Sequence, residues 1–156
     1  MIEVLALDID GVFTDNKVTV DENNKESKTI SYRDVDAVFE AHRQGLVLVF
    51  ITGEDSPWVQ MLSTKLAIKH VYAGFKDKLA GLKRAGAELG VELDKFCYVG
   101  DSARDIPAIL AAGIGYAPAD AVPGAREAAD VVLQSSGGNG VVAEVVDLVL
   151  KSRANS

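Results

Sequence analysis

The feature that most constrains this chain is a set of short apolar runs that do not alternate with polar residues. They are Val4 to Leu7, Leu46 to Ile51, Val71 to Tyr72, Phe96 to Val99, Ile114 to Tyr116 and Val131 to Leu133. A strand with one face in water carries polar side chains at every second position. The longer runs here are apolar throughout, which marks strands covered on both faces. Between them lie segments of helical period. Val35, Val38, Phe39 and His42 fall at i, i+3, i+4 and i+7, with Gly45 as a stop. Ser56-Pro57 reads as an N-cap and first helical residue leading to Val59, Leu62 and Leu66. Lys78 to Leu89 and Arg104 to Ala112 are closed by Gly90 and Gly113, and a last helix runs from about Val141 to Leu150. The alternation predicts an α/β fold, a doubly wound, Rossmann-like parallel sheet. With 156 residues the chain suits a single domain over 1–156.

One segment breaks the alternation. Lys17 to Val20, turn residues Asp21 to Lys25, and Thr29 to Tyr32 read as a β-hairpin inserted after the first strand, over about residues 16–33. A bare hairpin is marginal alone, so this one is expected to pair with something. Gly137-Gly138-Asn139-Gly140 reads as a flexible stretch, and the polar end, Lys151 to Ser156, as a disordered one.

A net charge of −7 argues against nucleic acid as a partner, because phosphate-backbone binding needs clustered Lys and Arg. If the substrate is itself anionic, a local cation or metal has to hold it. No apolar run approaches the ~20 residues of a membrane span. No signal peptide opens the chain, since Glu3 and Asp8 interrupt the apolar start. The single cysteine, Cys97, lies in an apolar run as a small buried hydrophobe, and the expected setting is the cytoplasm. His42 and His70 lack partner signals and read as structural, and Trp58 as a packing residue that could also stack on a sugar.

In an open α/β sheet, ligands bind beyond the carboxyl ends of the strands. There stand Asp8-Ile9-Asp10-Gly11, then Thr52-Gly53-Glu54, then Lys76-Asp77-Lys78, then Gly100-Asp101-Ser102 with Asp105 one helical turn on. Taken singly, each has a plain structural reading as a turn, a cap or a solvated helix residue. Together they put four carboxylates, a hydroxyl and a lysine on one edge. Such a cluster calls for a hard dication, and Mg²⁺ prefers oxygen ligands and substrate phosphate. Asp8 and Asp10, two apart on a strand, share a face. One carboxylate can attack phosphorus, forming an aspartyl-phosphate, while the other serves the leaving oxygen as general acid. Lys78 and Thr52 can neutralise and bind the phosphoryl oxygens.

In that order, the four motifs resemble those of the haloacid dehalogenase-like phosphatases, over nearly the whole chain. The resemblance implies Asp8 as nucleophile and Mg²⁺ ligand, and Asp10 as acid/base that binds metal through its carbonyl. It implies Thr52 and Lys78 on the phosphoryl oxygens, Asp101 completing the metal site, and Asp105 and Gly53 in support. No insertion is long enough for a cap domain. Asp10 to Asp15, Gly74 to Leu79 and the late Gly137 to Gly140 stretch resemble the capless sugar-acid phosphatases, which are tetramers whose neighbouring subunits cover the site. The hairpin would then serve assembly. Within that subgroup, Glu54 and Lys65 are similar to the pair in enzymes acting on nonulosonate 9-phosphates such as KDN or N-acetylneuraminate 9-phosphate. The alternative is 3-deoxy-manno-octulosonate 8-phosphate, whose phosphatases typically carry Arg where Glu54 stands. Two departures are Asp34-Val35-Asp36-Ala37 for the usual Asp-Gly-x-Gly, and Ser102 for an acid. A phospho-accepting receiver would need its acceptor Asp on a middle strand and its Lys last, which this order does not give. A catalytically silent partner subunit would not keep all the acids.

Overall fold

The computed structural model describes residues 1–156. In chain order its elements are β1 (Val4–Leu7), β2 (Thr19–Val20), β3 (Glu26–Ser27), α1 (Tyr32–Arg43), β4 (Val47–Ile51), α2 (Pro57–Lys65), β5 (His70–Tyr72) and α3 (Lys78–Leu89). Then follow β6 (Phe96–Val99), α4 (Ile106–Ala111), β7 (Ile114–Ala117), α5 (Pro123–Ala128), β8 (Val131–Val132) and α6 (Val141–Ala154). The strands form a six-stranded sheet in the order β5-β4-β1-β6-β7-β8. Each pairing in it is parallel, and Leu7 of central β1 lies between Phe50 and Val99.

Both faces of the sheet are covered, as unalternated strands require. Leu5, Leu7, Leu48, Phe50, Cys97 and Val99 pack with α1, α2 and α6 on one side. Val4, Ala6, Val49, Ile51, Phe96 and Tyr98 pack with α3, α4 and α5 on the other. Cys97 and Tyr98 are thus adjacent residues buried in opposite layers. Burial pushes the Cys97 thiol up to about 12, in keeping with an inert core residue. His42 is structural too, its Nε2 lying 2.9 Å from the Leu66 carbonyl. No helix is long and apolar enough to cross a membrane.

Several local expectations are corrected. The hairpin is shorter, pairing only Thr19 with Ser27 and Val20 with Glu26. Thr29 to Tyr32 forms no strand, because Ser31 is an N-cap whose hydroxyl oxygen accepts from the Arg33 N–H and starts α1 at Tyr32. The helix expected from Arg104 opens as a 3₁₀ turn, Ala103–Asp105, and becomes α-helical only at Ile106. Pro123 opens α5, a helix the periodicity did not signal. The polar C-terminal end continues α6 to Ala154, with Lys151 paired to Asp147 one turn back. Residues 137–140 pack closely rather than hang free. The Gly138 N–H donates to the Val12 carbonyl at 3.0 Å and the Gly137 N–H to Asp120 at 3.0 Å. A side chain at 137 would collide with the backbone of Gly11.

Candidate active site

The carboxyl ends of β1, β4 and β6 lie side by side, so their following residues meet. A cleft of about 250 Å³ opens there, lined only by polar residues and glycine, among them Asp8, Asp10, Thr52, Glu54, Lys78 and Asp101. Asn16 and Arg104 stand at its walls. Gly11 sits at φ +87°, and any side chain there would run into the Asp101 carboxylate, so the loops after β1 and β6 touch because this residue is glycine.

At the floor, Lys78 opens α3, whose N-cap Asp77 accepts from the Ala80 N–H at 3.0 Å. Lys78 is only 4% exposed, and its ammonium lies 3.0 Å from Asp8 Oδ1 and 3.1 Å from Asp105 Oδ1. Asp105 is saturated. Besides Lys78 it accepts from the Tyr98 hydroxyl at 2.5 Å and, on Oδ2, from the N–H of Asp101 and the N–H and hydroxyl of Ser102 at 3.0 Å each. Ser102 therefore closes a capping box on the 3₁₀ turn where an acid was the expected residue. Burial pushes Asp105 upward, but Lys78, Tyr98 and Ser102 outweigh it and hold the carboxyl below its ordinary range.

Asp8 and Asp101 have fewer partners, Asp8 Oδ1 accepting from the Ile9 N–H at 2.8 Å and from Lys78. Burial, then the neighbouring Asp105 charge, pushes Asp8 well above the ordinary carboxylate range, against the pull of Lys78. The same two causes raise Asp101 to about 6. Carboxylate oxygens of Asp8, Asp101 and Asp105 all lie within 4.8 Å of one another. One lysine cannot balance three carboxylates, so the donor set fits a hard dication held by the two less engaged acids. Burial pushes Lys78 down, but Asp8 and Asp105 outweigh it, and the amine stays charged.

Thr52 is 2% exposed, and its hydroxyl oxygen accepts from the Glu54 N–H at 3.2 Å, leaving the hydroxyl proton free to donate into the cleft. Asp10 is set apart from the metal cluster. Its Oδ1 accepts from the buried Thr14 hydroxyl at 3.0 Å, and both its oxygens lie 3.0 Å from the Lys28 ammonium. Lys28 also reaches Glu54 at 2.9 Å. The expected catalytic, metal and supporting residues are thus brought together, with Glu54 at their rim. Lys65 is not. It is exposed in the last turn of α2, eight residues beyond Pro57, or roughly 12 Å along the axis from the helix end beside the cleft. Lys28 and Tyr98 carry no sequence signal of their own: one is a lysine among several in the hairpin, the other an aromatic inside an apolar run.

A family model for haloacid dehalogenase-like hydrolases matches residues 54–145. A 3-deoxy-D-manno-octulosonate 8-phosphate phosphatase of Escherichia coli K12 is 34% identical over 149 residues, 96% of this chain and 79% of the relative. The crystal structure of the Moraxella catarrhalis phosphatase of that name, with magnesium, phosphate and KDO, superposes with a TM-score of 0.95 at 32% identity, covering 99% of this chain and 88% of that one. A cobalt-bound Haemophilus influenzae counterpart gives 0.93 at 29% identity, covering 98% and 90%. The chain belongs to the haloacid dehalogenase-like hydrolases. Within that family it is similar along almost its whole length to phosphatases of an eight-carbon sugar acid. These relatives favour the octulosonate alternative over the nine-carbon reading drawn from Glu54 and Lys65.

Proposed function

We propose that this chain is a Mg²⁺-dependent phosphomonoester hydrolase acting on a sugar-acid phosphate, with 3-deoxy-D-manno-octulosonate 8-phosphate as its leading substrate. The observation that carries the reading is the buried Lys78 clamped between Asp8 and Asp105 beside Asp101. In this reading one carboxylate is the nucleophile, and two acids would seat the metal beside it. The similarity to the octulosonate phosphatases supports the choice of sugar.

An oxygen of Asp8 attacks phosphorus as the ester bond breaks, giving an aspartyl-phosphate. Asp10, which takes up a proton from water as substrate binds, gives it to the leaving oxygen, then takes one back from the water that hydrolyses the acyl-phosphate. Lys78 and the Thr52 hydroxyl hold the phosphoryl oxygens, and Gly53 leaves room for them beside the backbone. Asp105 positions Lys78. Seated on Asp8 and Asp101, with the Asp10 carbonyl as a third ligand, Mg²⁺ would supply positive charge to the phosphoryl group and keep both acids ionised. Glu54 would face the sugar hydroxyls. Lys65 would reach the sugar of the same chain only if α2 moved, and it carries no role in this reading.

Residues 1–156 act as one unit, with the short hairpin as the contact surface of a homotetramer. Its strands are exposed, as are the apolar side chains of Val18, at 45%, and Val20, at 51%. The lone buried thiol fits a cytoplasmic setting.

The test is a panel of phosphorylated eight- and nine-carbon sugar acids, assayed for Mg²⁺-dependent phosphate release. The octulosonate 8-phosphate should turn over fastest. Faster turnover of a nonulosonate 9-phosphate would restore the nine-carbon reading, and no Mg²⁺-dependent release from any member would sink both.

A further inference from the structure

We propose that Lys28 is a positioning residue for this reaction, the side chain through which the hairpin aims the Asp10 carboxylate at the leaving oxygen. The proposal rests on the phosphatase reading above, but not on the identity of the sugar. Lys28 follows β3 directly and is unlike its surroundings. The hairpin strands are exposed, whereas the Lys28 side chain is only 9% exposed and turned into the cleft. Its ammonium lies 3.0 Å from both Asp10 oxygens, 2.9 Å from Glu54 Oε2, and 4.8 Å from the centre of the Trp58 ring.

The geometry divides labour between two lysines. Lys78 meets the nucleophile Asp8, on the phosphoryl side, while Lys28 meets Asp10. A second cavity of about 180 Å³ adjoins the cleft and shares Asp10, Asn16 and Glu54 with it, with Lys28 as a further wall. A leaving group bonded to phosphorus in the cleft would extend into that space. Thr14 and Lys28, donating from two sides, fix the plane of the Asp10 carboxyl at the boundary between the two spaces. Without Lys28 the carboxyl keeps only the Thr14 contact and can rotate away from the ester oxygen. Positioning of this kind is worth much in rate, because a misplaced group fails even when its chemistry is intact.

The step concerned is specific. As the bond from phosphorus to the ester oxygen breaks and the bond to Asp8 forms, a proton that the Asp10 carboxylate has taken up from water on substrate binding passes to the departing oxygen, while Thr14 and Lys28 keep the carboxyl in place. A leaving group that is stable as an anion needs that proton less. Phenol is a poorer leaving group than p-nitrophenol, so phenyl phosphate depends more on Asp10 than p-nitrophenyl phosphate does. The comparison is made in kcat/KM, which reports steps through leaving-group departure and omits hydrolysis of the common aspartyl-phosphate.

Lys28→Met keeps an unbranched apolar chain but removes the ammonium and with it the cation–π contact to Trp58, and Lys28→Arg keeps the charge. With Mg²⁺ present, Lys28→Met should lower kcat/KM for phenyl phosphate at least tenfold more than for p-nitrophenyl phosphate, and Lys28→Arg should recover most of the difference. Equal losses on the two esters, or no loss, would overturn the proposal while leaving the phosphatase reading intact, since a merely structural lysine affects both alike. A wild-type enzyme inactive on every ester would instead overturn the phosphatase reading, and the proposal with it.

Discussion

Asp8 and Asp10 are two residues apart, yet their surroundings differ in kind. Asp8 is 5% exposed and faces Lys78 and the acids of the metal seat. The Asp10 side chain is 34% exposed and held by Thr14 and Lys28. In the proposed mechanism, that contrast separates a nucleophile from an acid/base. Asp10→Asn keeps an oxygen for the Thr14 contact but cannot exchange a proton, so kcat/KM for the sugar-acid phosphate should fall by ~10²–10⁴. Phosphate release at saturating Mg²⁺, with an unchanged circular-dichroism melt, checks it, and retained activity would remove Asp10 from the chemistry. The residues legible in the sequence were those next to a strand end, where a local motif fixes both type and place. Lys28 and Tyr98 were not legible. Lys28 lies where the hairpin folds back over Glu54, and Tyr98 reads as core because only its hydroxyl, bonded to Asp105, leaves the apolar layer.

At the scale of elements, the sheet was legible because burial on both faces leaves its mark in composition, residue by residue. The hairpin was misjudged because β-rich residues after Lys28 compete with a serine cap, and the cap, with twelve residues of helix behind it, prevails. A tie between distant elements escaped the sequence altogether. Asp34 of α1, fully buried, accepts from the Ala143 N–H at 2.9 Å and the Gly140 N–H at 3.3 Å, capping α6 from another helix. Gly140 itself carries no side chain to do so. Asp34 keeps the acid usual at that position, so the contact does not account for Val35 and Ala37, which stand where glycines are usual. Asp34→Ala should cost roughly 1–3 kcal/mol, a lost cap plus buried N–H groups left without partners. Urea unfolding would register it as a lower midpoint at unchanged slope, and Asp34→Asn, which retains an acceptor, should lose less. A midpoint equal to wild type in Asp34→Ala would show that water satisfies α6 instead.

For the molecule as a whole, folding brings Asp8 and Asp101 together at an energetic cost that a cation can offset. Asp101 titrates at about 6 in the folded chain against an ordinary 3.8, and Asp8 is raised as well. Between those values the folded state binds more protons than the unfolded one, so the stability of metal-free protein falls as pH rises through that window. Asp105, shifted down, adds stability that is lost only in more acid solution, and Lys78 and Lys28, shifted up, add stability lost only in strong alkali. Neither cancels the trend in that window. Mg²⁺ needs the ionised carboxylates, so protons compete with it and its affinity rises over the same pH range. A ligand that binds only the folded state raises the melting temperature in step with its affinity. Added Mg²⁺ should therefore raise the melting temperature of chelator-treated protein more at about pH 7.5 than at about pH 5. An Asp101→Asn variant should show a smaller Mg²⁺ shift that varies less with pH. Differential scanning fluorimetry at both pH values, with and without Mg²⁺, measures this directly, and an equal shift at the two would mean that these two acids do not seat the metal.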